Sequence, residues 1–195
     1  RDWSSDVCSS DLWQPDVIPL AAALAGLVGA TRLVDVGCST AAKLLPFADR
    51  FDLIGLDYPE AIPDDPRGLW VPTDFDHLPA RRLPLAPAQL AGSVIVCADV
   101  IEHLRHPEIL VEALRWALGA GSALVLSTPD RDRLYGPGHL GPPRNPCHVR
   151  EWNAEELAAW LTREGIPVVG QLHQRSTDQP GSPMATQVVV AGHGA

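Results

Sequence analysis

The run Leu33-Val34-Asp35-Val36-Gly37-Cys38-Ser39-Thr40 restricts the fold of this chain more than any other segment. It is apolar, ends in an acid and a glycine, and is answered roughly twenty residues later by Ile54-Gly55-Leu56-Asp57. A buried strand that enters a tight turn at a glycine, followed by a second strand ending in a carboxylate, is how open α/β sheets hold a nucleoside across their carboxyl edge. Gly37 lets the backbone come close to a ligand, and Asp57 is placed to accept hydrogen bonds from ribose hydroxyls.

What the turn lacks narrows the ligand. A dinucleotide site wants G-x-G-x-x-G, because several bare amides must crowd a pyrophosphate at a helix N-terminus. Here Ser39, Ala41 and Ala42 follow Gly37, and the later glycines are missing. S-adenosylmethionine (SAM) carries a sulfonium, an amino acid and a nucleoside but no phosphate, so the pattern favours it over a nicotinamide dinucleotide.

Residues 1–12 resemble the translation of a short sequencing adapter. They have neither helical nor strand period and no apolar core of a signal peptide, so the domain is read as residues 13–195. That length is enough for one α/β domain with its own core. With 46% hydrophobic and 20% charged residues the composition is ordinary globular. The net charge of -9 and the lack of Lys/Arg clusters argue against a nucleic-acid partner held through phosphates. No apolar run reaches membrane-spanning length. Cys38, Cys97 and Cys147 are widely spaced, and reduced thiols in a cytoplasmic protein account for them most simply.

Strands and helices alternate along the chain. A helix is expected over Asp16 to Val28, a strand over Arg32 to Val36, a helix from Thr40 to Ala48, and strands over Phe51 to Asp57 and Leu69 to Val71. His77 to Pro87 reads as loop. Ser93 to Ala98 is a continuous apolar run, as a central parallel strand buried on both faces requires. Pro107 opens a helix whose Leu110, Val111, Leu114, Ala117 and Leu118 face the sheet, with Gly119 as its cap. Ala123 to Ser127 forms a fifth strand. Asn153 and Glu156 form a capping box with Trp152 and Leu157 as its staple, and Gly165 ends that helix. Val168 to Gln174 and Ala185 to Ala191 can pair as a hairpin. The expected fold is α/β: a doubly wound, mostly parallel seven-stranded Rossmann-like sheet with a terminal antiparallel strand.

Val34-Asp35-Val36-Gly37-Cys38, Asp57, Asp74, Val96-Cys97-Ala98-Asp99-Val100-Ile101-Glu102-His103-Leu104 and Leu126-Ser127-Thr128-Pro129 together resemble a class I SAM-dependent methyltransferase of the small, single-domain kind. The likeness covers nearly everything after residue 12, and D-V-I-E-H-L is its most specific piece. Ser39 and Ala41 depart from it, standing where the family usually has glycine. The resemblance implies that Asp35 lies near the methionine amino group. It implies that Gly37, Cys38 and Ser39 line the donor, that Asp57 takes the ribose and that Asp74 takes the adenine amino group with Phe75 beside the ring. The backbone of Cys97 and Ala98 would pass along the cofactor.

Methyl transfer is an in-line displacement in which the donor already carries the activation. A base is needed only when the acceptor must lose a proton, as a hydroxyl does. His103, just beyond the fourth strand, is the first candidate, with His148 as the second. Asp99, Glu102 and His103 stand at i, i+3 and i+4, so one helical turn would gather them. Ubiquinone-biosynthesis O-methyltransferases show a similar acid-x-x-Glu-His pattern that holds a divalent cation. The reading taken here is the plainer one, in which Glu102 and His103 satisfy nearby backbone and no metal is bound. A zinc site from His139, Cys147 and His148 lacks paired-ligand spacing. The segment Asp130 to Glu151 is a long loop of the kind that forms a lid, and Arg144, His148 and Arg150 would meet an anionic or sugar-like acceptor. The expected activity is methyl transfer from SAM to a small-molecule or glycan-linked acceptor, at oxygen. Its rivals are a non-catalytic relative that keeps the fold as a binding module and a nucleotide-linked dehydrogenase.

Overall fold

The computed structural model describes residues 14–177 and 179–192, so the segment read as an adapter lies outside the described residues. Seven strands form one sheet in the order β3-β2-β1-β4-β5-β7-β6. They are β1 (Arg32–Val36), β2 (Asp52–Asp57), β3 (Gly68–Pro72), β4 (Ser93–Ala98), β5 (Ala123–Pro129), β6 (Val168–Gln174) and β7 (Thr186–Ala191). The first five are mutually parallel, and β7 runs antiparallel to both β5 and β6. The reversed strand is therefore last in sequence but second from the edge of the sheet, and β6 at the edge points the same way as β5.

Alternation along each strand divides the apolar residues between two cores. Val34, Val36, Ile95, Cys97, Leu124 and Leu126 face one core, which α3 (Pro107–Gly119) and α5 (Ala154–Arg163) complete through Leu110, Leu114, Leu157 and Leu161. Leu33, Val94, Val96 and Val125 face the other, closed by α1 (Val17–Val28). Burial on both faces is why these strands read as unbroken apolar runs. The capping box of α5 is present, with the Glu156 N–H donating to Asn153 Oδ1 at 2.9 Å and the Asn153 N–H donating to Glu156 Oε2 at 3.2 Å. Trp152 and Leu157 are both buried in the same core, as the staple requires.

Two expectations fail locally. The segment Thr40 to Ala48 is not an α-helix but a series of turns with a short 3-10 stretch at Leu45–Phe47. Ala41 takes a left-handed φ of 56°, which breaks a helix at its start, and Pro46 removes an N–H inside it. Gly119 is the last residue of α3 rather than its cap, and the left-handed glycine beyond that end is Gly121. The loop-like stretch from His77 holds a 3-10 turn at Pro79–Arg81 and ends at the one-turn helix α2 (Pro87–Leu90). No helix among the described residues is long and apolar enough to cross a membrane.

Candidate active site

Parallel strands deliver their C-terminal ends to one edge, and the order reverses between β1 and β4, where chain leaving the two strands diverges and opens a crevice. Asp35, Gly37, Asp57, Asp74, Ala98 and Asp99 all reach that edge. The turn after β1 is fixed by Asp57: its Oδ2 accepts the Ser39 N–H at 2.7 Å while its Oδ1 accepts the Tyr58 N–H at 2.7 Å. Burial raises the Asp57 carboxyl above its ordinary value, and these two donors pull it back. Ser39 reaches this position with a left-handed φ of 47°. Ser39 and Ala41 thus stand in left-handed conformations that glycine adopts freely. Serine and alanine hold them under strain.

Gly37 has a φ of 86°, and a Cβ built on it would lie 2.4 Å from Val100 Cγ2. Its close approach is thus to the D-V-I-E-H-L segment as much as to any ligand, so the turns after β1 and β4 interlock. Asp35 is buried on the α1 side. Its carboxyl is pushed up to about 7, by burial first and then by the Asp57 charge, with Lys43 acting in the opposite direction. Cys38 is a buried thiol whose ionisation burial disfavours. Cys97 is fully buried, and Ala98 beside it is the first residue of β4 to reach the crevice.

The adenine end departs from expectation. Phe75 is 1% exposed and belongs to the core, so it is not a free face for a base. Half-buried Tyr58 packs edge-on against it at 5.9 Å between centroids and is the aromatic nearer the surface. Asp74 is exposed and engages His77 Nδ1 at 2.8 Å.

After β4 the chain turns at Asp99, itself left-handed with φ 53°, into a 3-10 turn at Ile101–His103. A regular helical turn is absent, yet the three side chains still gather. The Asp99 and Glu102 carboxyls are buried and interact with each other, and among the described residues Asp99 Oδ1 and Glu102 Oε1 have no hydrogen-bond partner. Burial raises both carboxyls, Asp99 to about 6 and Glu102 well above its ordinary value, which means the pair holds a proton near neutrality. Thr128 Oγ1 donates to Glu102 Oε2 at 2.9 Å. Ligand atoms of Glu102, His103 and His148 lie within 4.8 Å of one another, and the two imidazoles meet edge to face at 4.8 Å.

His148 arrives from the loop between α4 (Arg131–Tyr135) and α5. The backbone N–H groups of Val149 and Arg150 donate to the Glu102 carbonyl at 2.7 and 3.4 Å, which ties this loop directly to the turn after β4. His103 Nδ1 lies 3.1 Å from the Cys147 carbonyl, and His148 Nδ1 lies 2.6 Å from Glu151 Oε1. Each imidazole is thus oriented through Nδ1 by an oxygen, as protein ligands of a metal are held, while His148 Nε2 lies 3.0 Å from Asn145 Nδ2 and would have to exchange that amide for a cation. The donor set of one buried carboxylate, two oriented imidazoles and a second carboxylate at hand fits a divalent cation. This differs from the plainer expectation that Glu102 and His103 only satisfy backbone.

Beside the cluster the loop encloses a cleft of about 310 Å3, lined among others by Arg131, Leu140, Pro142, Arg150 and Glu151. Arg131 is bound by both guanidinium nitrogens to Glu156, and Arg144 lies over the Tyr135 ring at 4.8 Å. Arg150 lies 6.0 Å from the Trp152 centroid and is the exposed cation of the cleft. Of the three cysteines expected as reduced thiols, Cys38 and Cys97 are free, whereas Cys147, on the partly exposed loop, is disulfide-bonded. Glu151, Lys43 and Gln14 went unnoticed in the sequence. Glu151 follows His148 at i+3, which is a faint signal, while the other two carry none.

Comparison with known proteins agrees with this geometry. Residues 13–171 match the model of a methyltransferase domain family. A probable S-adenosylmethionine-dependent methyltransferase of Mycolicibacterium smegmatis is 37% identical over 116 residues, covering 60% of this chain and 44% of that protein. The small RNA 2′-O-methyltransferase of Xenopus tropicalis is 29% identical over 148 residues, covering 67% of this chain and 40% of that protein. The chain therefore spans less than half the length of these curated relatives. Among solved structures, the methyltransferase domain of bacterial CtHen1-C superposes with a TM-score of 0.65 at 21% identity, covering 93% of this chain and 98% of that one. At that identity the likeness concerns the fold. From its sheet order, its interlocked turns and the family match across most of its length, the chain belongs to the methyltransferase domain family, with the class I, SAM-dependent fold.

Proposed function

We propose that this chain transfers a methyl group from SAM to a hydroxyl oxygen of a small-molecule or glycan-linked acceptor. The observation that carries the reading is the convergence of Glu102, His103 and His148 at the carboxyl end of β4, next to the crevice and under the loop that bounds the cleft. A hydroxyl must lose its proton as the new bond forms, and this cluster offers both an imidazole to take it and carboxyl and imidazole groups that would hold a cation to lower its proton affinity.

When bound, SAM supplies a methyl group already activated on a sulfonium. Asp57 would hold the ribose through the carboxylate lone pairs that Ser39 and Tyr58 leave open, and Asp35 would face the amino group. The backbone of Gly37, Cys38, Ser39, Cys97 and Ala98 would wall the donor from water. Glu102, His103 and His148, with Asp99 beside them, would hold a divalent cation, which lowers the proton affinity of a bound hydroxyl. A nitrogen on the cation cannot also take a proton, so His103 would be the base for the acceptor only where Glu102 and His148 hold the cation without it, and Glu151 keeps the His148 ring in place. The cleft then selects what enters, with Leu140 and Pro142 as an apolar wall and Arg150 as the cation that meets an acidic or sugar-like group.

A second reading has its own support, because the Xenopus relative acts on small RNA at a 2′ oxygen. The chemistry is the same and only the carrier of the hydroxyl differs. The acidity of the chain weighs toward the small acceptor. One experiment separates the two: incubation with methyl-tritiated SAM and Mn2+ against a metabolite and glycan fraction and against a small-RNA fraction. Alkali-stable label in the first, lost in Glu102→Gln and His103→Ala, is expected. Label confined to RNA would replace the small acceptor with the second reading, and label in neither would overturn transfer to oxygen.

A further inference from the structure

Glu151 belongs to the cluster through one carboxylate oxygen and to the cleft through the other. Its side chain is 1% exposed, and Oε1 lies 2.6 Å from His148 Nδ1. Oε2 is buried and has no hydrogen-bond partner among the described residues. Tyr135 is near enough for the Glu151 charge, after burial, to raise its hydroxyl, yet Oε2 stays without a donor at hydrogen-bonding distance. A buried carboxylate oxygen left in this way is costly, and Glu151 lines the cleft of about 310 Å3 from which a donor can come.

The rest of the cleft selects the kind of donor. A carboxylate is met by a cation, an ammonium or a hydroxyl. Arg150 brings a positive charge to the same cleft, and Arg131 brings another that Glu156 holds through both terminal nitrogens. A charge that balances Glu151 is therefore already in place, and a neutral hydroxyl fits beside it where an ammonium would be repelled. Leu140, Pro142 and Pro143 add an apolar wall, which suits the C–H face of a ring whose edge carries hydroxyls. Spacing decides the remainder. One imidazole, that of His148, separates Glu151 from the point where Glu102, His103 and His148 converge. A hydroxyl at the cluster and a second one at Oε2 are thus spanned by a single small ring.

We propose that the methyl acceptor is a sugar with a second free hydroxyl on the ring that is methylated, and that Glu151 Oε2 accepts the hydrogen bond from this second hydroxyl. The inference rests on transfer to a hydroxyl oxygen and narrows what carries that oxygen. Glu151 then has two tasks, holding His148 with Oε1 and the acceptor with Oε2.

The test uses the whole chain with methyl-tritiated SAM, Mn2+ and the metabolite and glycan fraction. The labelled product, hydrolysed, reduced and acetylated, should give a sugar alditol with the labelled methyl on one ring carbon and acetyl on another. Glu151→Gln separates the two tasks, because its amide oxygen still accepts from His148 Nδ1 while an NH2 takes the place of Oε2. The half-saturating amount of the fraction should rise about tenfold, with Mn2+ affinity and the rate at saturation changed less than about twofold. Glu151→Ala releases His148 as well and should weaken Mn2+ binding too. Label in a product with no second hydroxyl would overturn the proposal. So would a Glu151→Gln chain that loses Mn2+ affinity and rate at unchanged half-saturation, since Glu151 would then only hold His148. Label confined to the small-RNA fraction would change the acceptor of the proposed function, and the same two readouts on that fraction would decide this inference separately. Label in neither fraction would overturn both.

Discussion

The turns leaving β1 and β4 use the same backbone device for different ends. They start from paired positions, Val36 and Cys97, and each bends through left-handed residues that are not glycine. After β1 these are Ser39 and Ala41, and the result is an N–H delivered to Asp57 Oδ2. After β4 it is Asp99, and the result is a carboxyl turned inward beside Glu102. The first turn spends strain on aiming backbone and the second on aiming a side chain. Glycine would therefore serve the first turn as well or better, and would abolish the second. The two turns also depend on each other, because Val100 fills the space a side chain at Gly37 would need.

The largest effect should come from breaking that interlock. Gly37→Ala drives a methyl into Val100 on top of a left-handed φ, and urea unfolding should show a loss of about 2–4 kcal/mol, with methyl transfer abolished. A loss under about 1 kcal/mol would mean that the turns move apart freely.

A pH series sharpens the comparison at the first turn. The folded, ligand-free Asp35 carboxyl titrates at about 7, above its ordinary 3.8, so the folded state holds a proton the unfolded state has released. Stability without ligand therefore falls as pH rises from about 4 to about 7 and then levels. A ligand ammonium favours the carboxylate, so SAM binding releases that proton. Affinity should rise by up to about tenfold per pH unit toward pH 7 and flatten above it. Titrations in buffers of different ionisation enthalpy would detect the released proton. Asp35→Asn should remove the slope, and a slope that persists there would place the proton elsewhere.

The smallest effect contrasts the two turns directly. Ser39→Gly relieves a left-handed serine and adds chain entropy to the unfolded state, for a net gain of about 0.5 kcal/mol with SAM binding equal or tighter. Asp99→Gly should gain a similar amount in stability and yet lose Mn2+ affinity. If Ser39→Gly lowers both stability and SAM affinity, the serine hydroxyl has a role of its own and the turns are more alike than their strain suggests.

The strands were legible because burial on both faces writes an apolar run into the sequence, and the capping box of α5 was legible because both partners lie within one helical turn. The segment after β1 was misjudged for a physical reason: apolar spacing over Thr40 to Ala48 fits a helix, but the demand that Ser39 meet Asp57 forces left-handed geometry that spacing does not record. Phe75 was set against a ligand because it follows Asp74, whereas the core had room for its ring.

Local pattern was enough to place the strands along the chain, the acids at their ends and the chemical identity of the D-V-I-E-H-L segment, since each depends on residues a few positions apart. Only the folded chain brings His148 to Glu102 and His103, across a loop tied to a backbone carbonyl, and Gln14 to Ser127 from more than a hundred residues away. Those contacts join groups far apart in sequence. Local pattern carries no trace of them, because it is the closing of the sheet and the packing of the loop that set their distances.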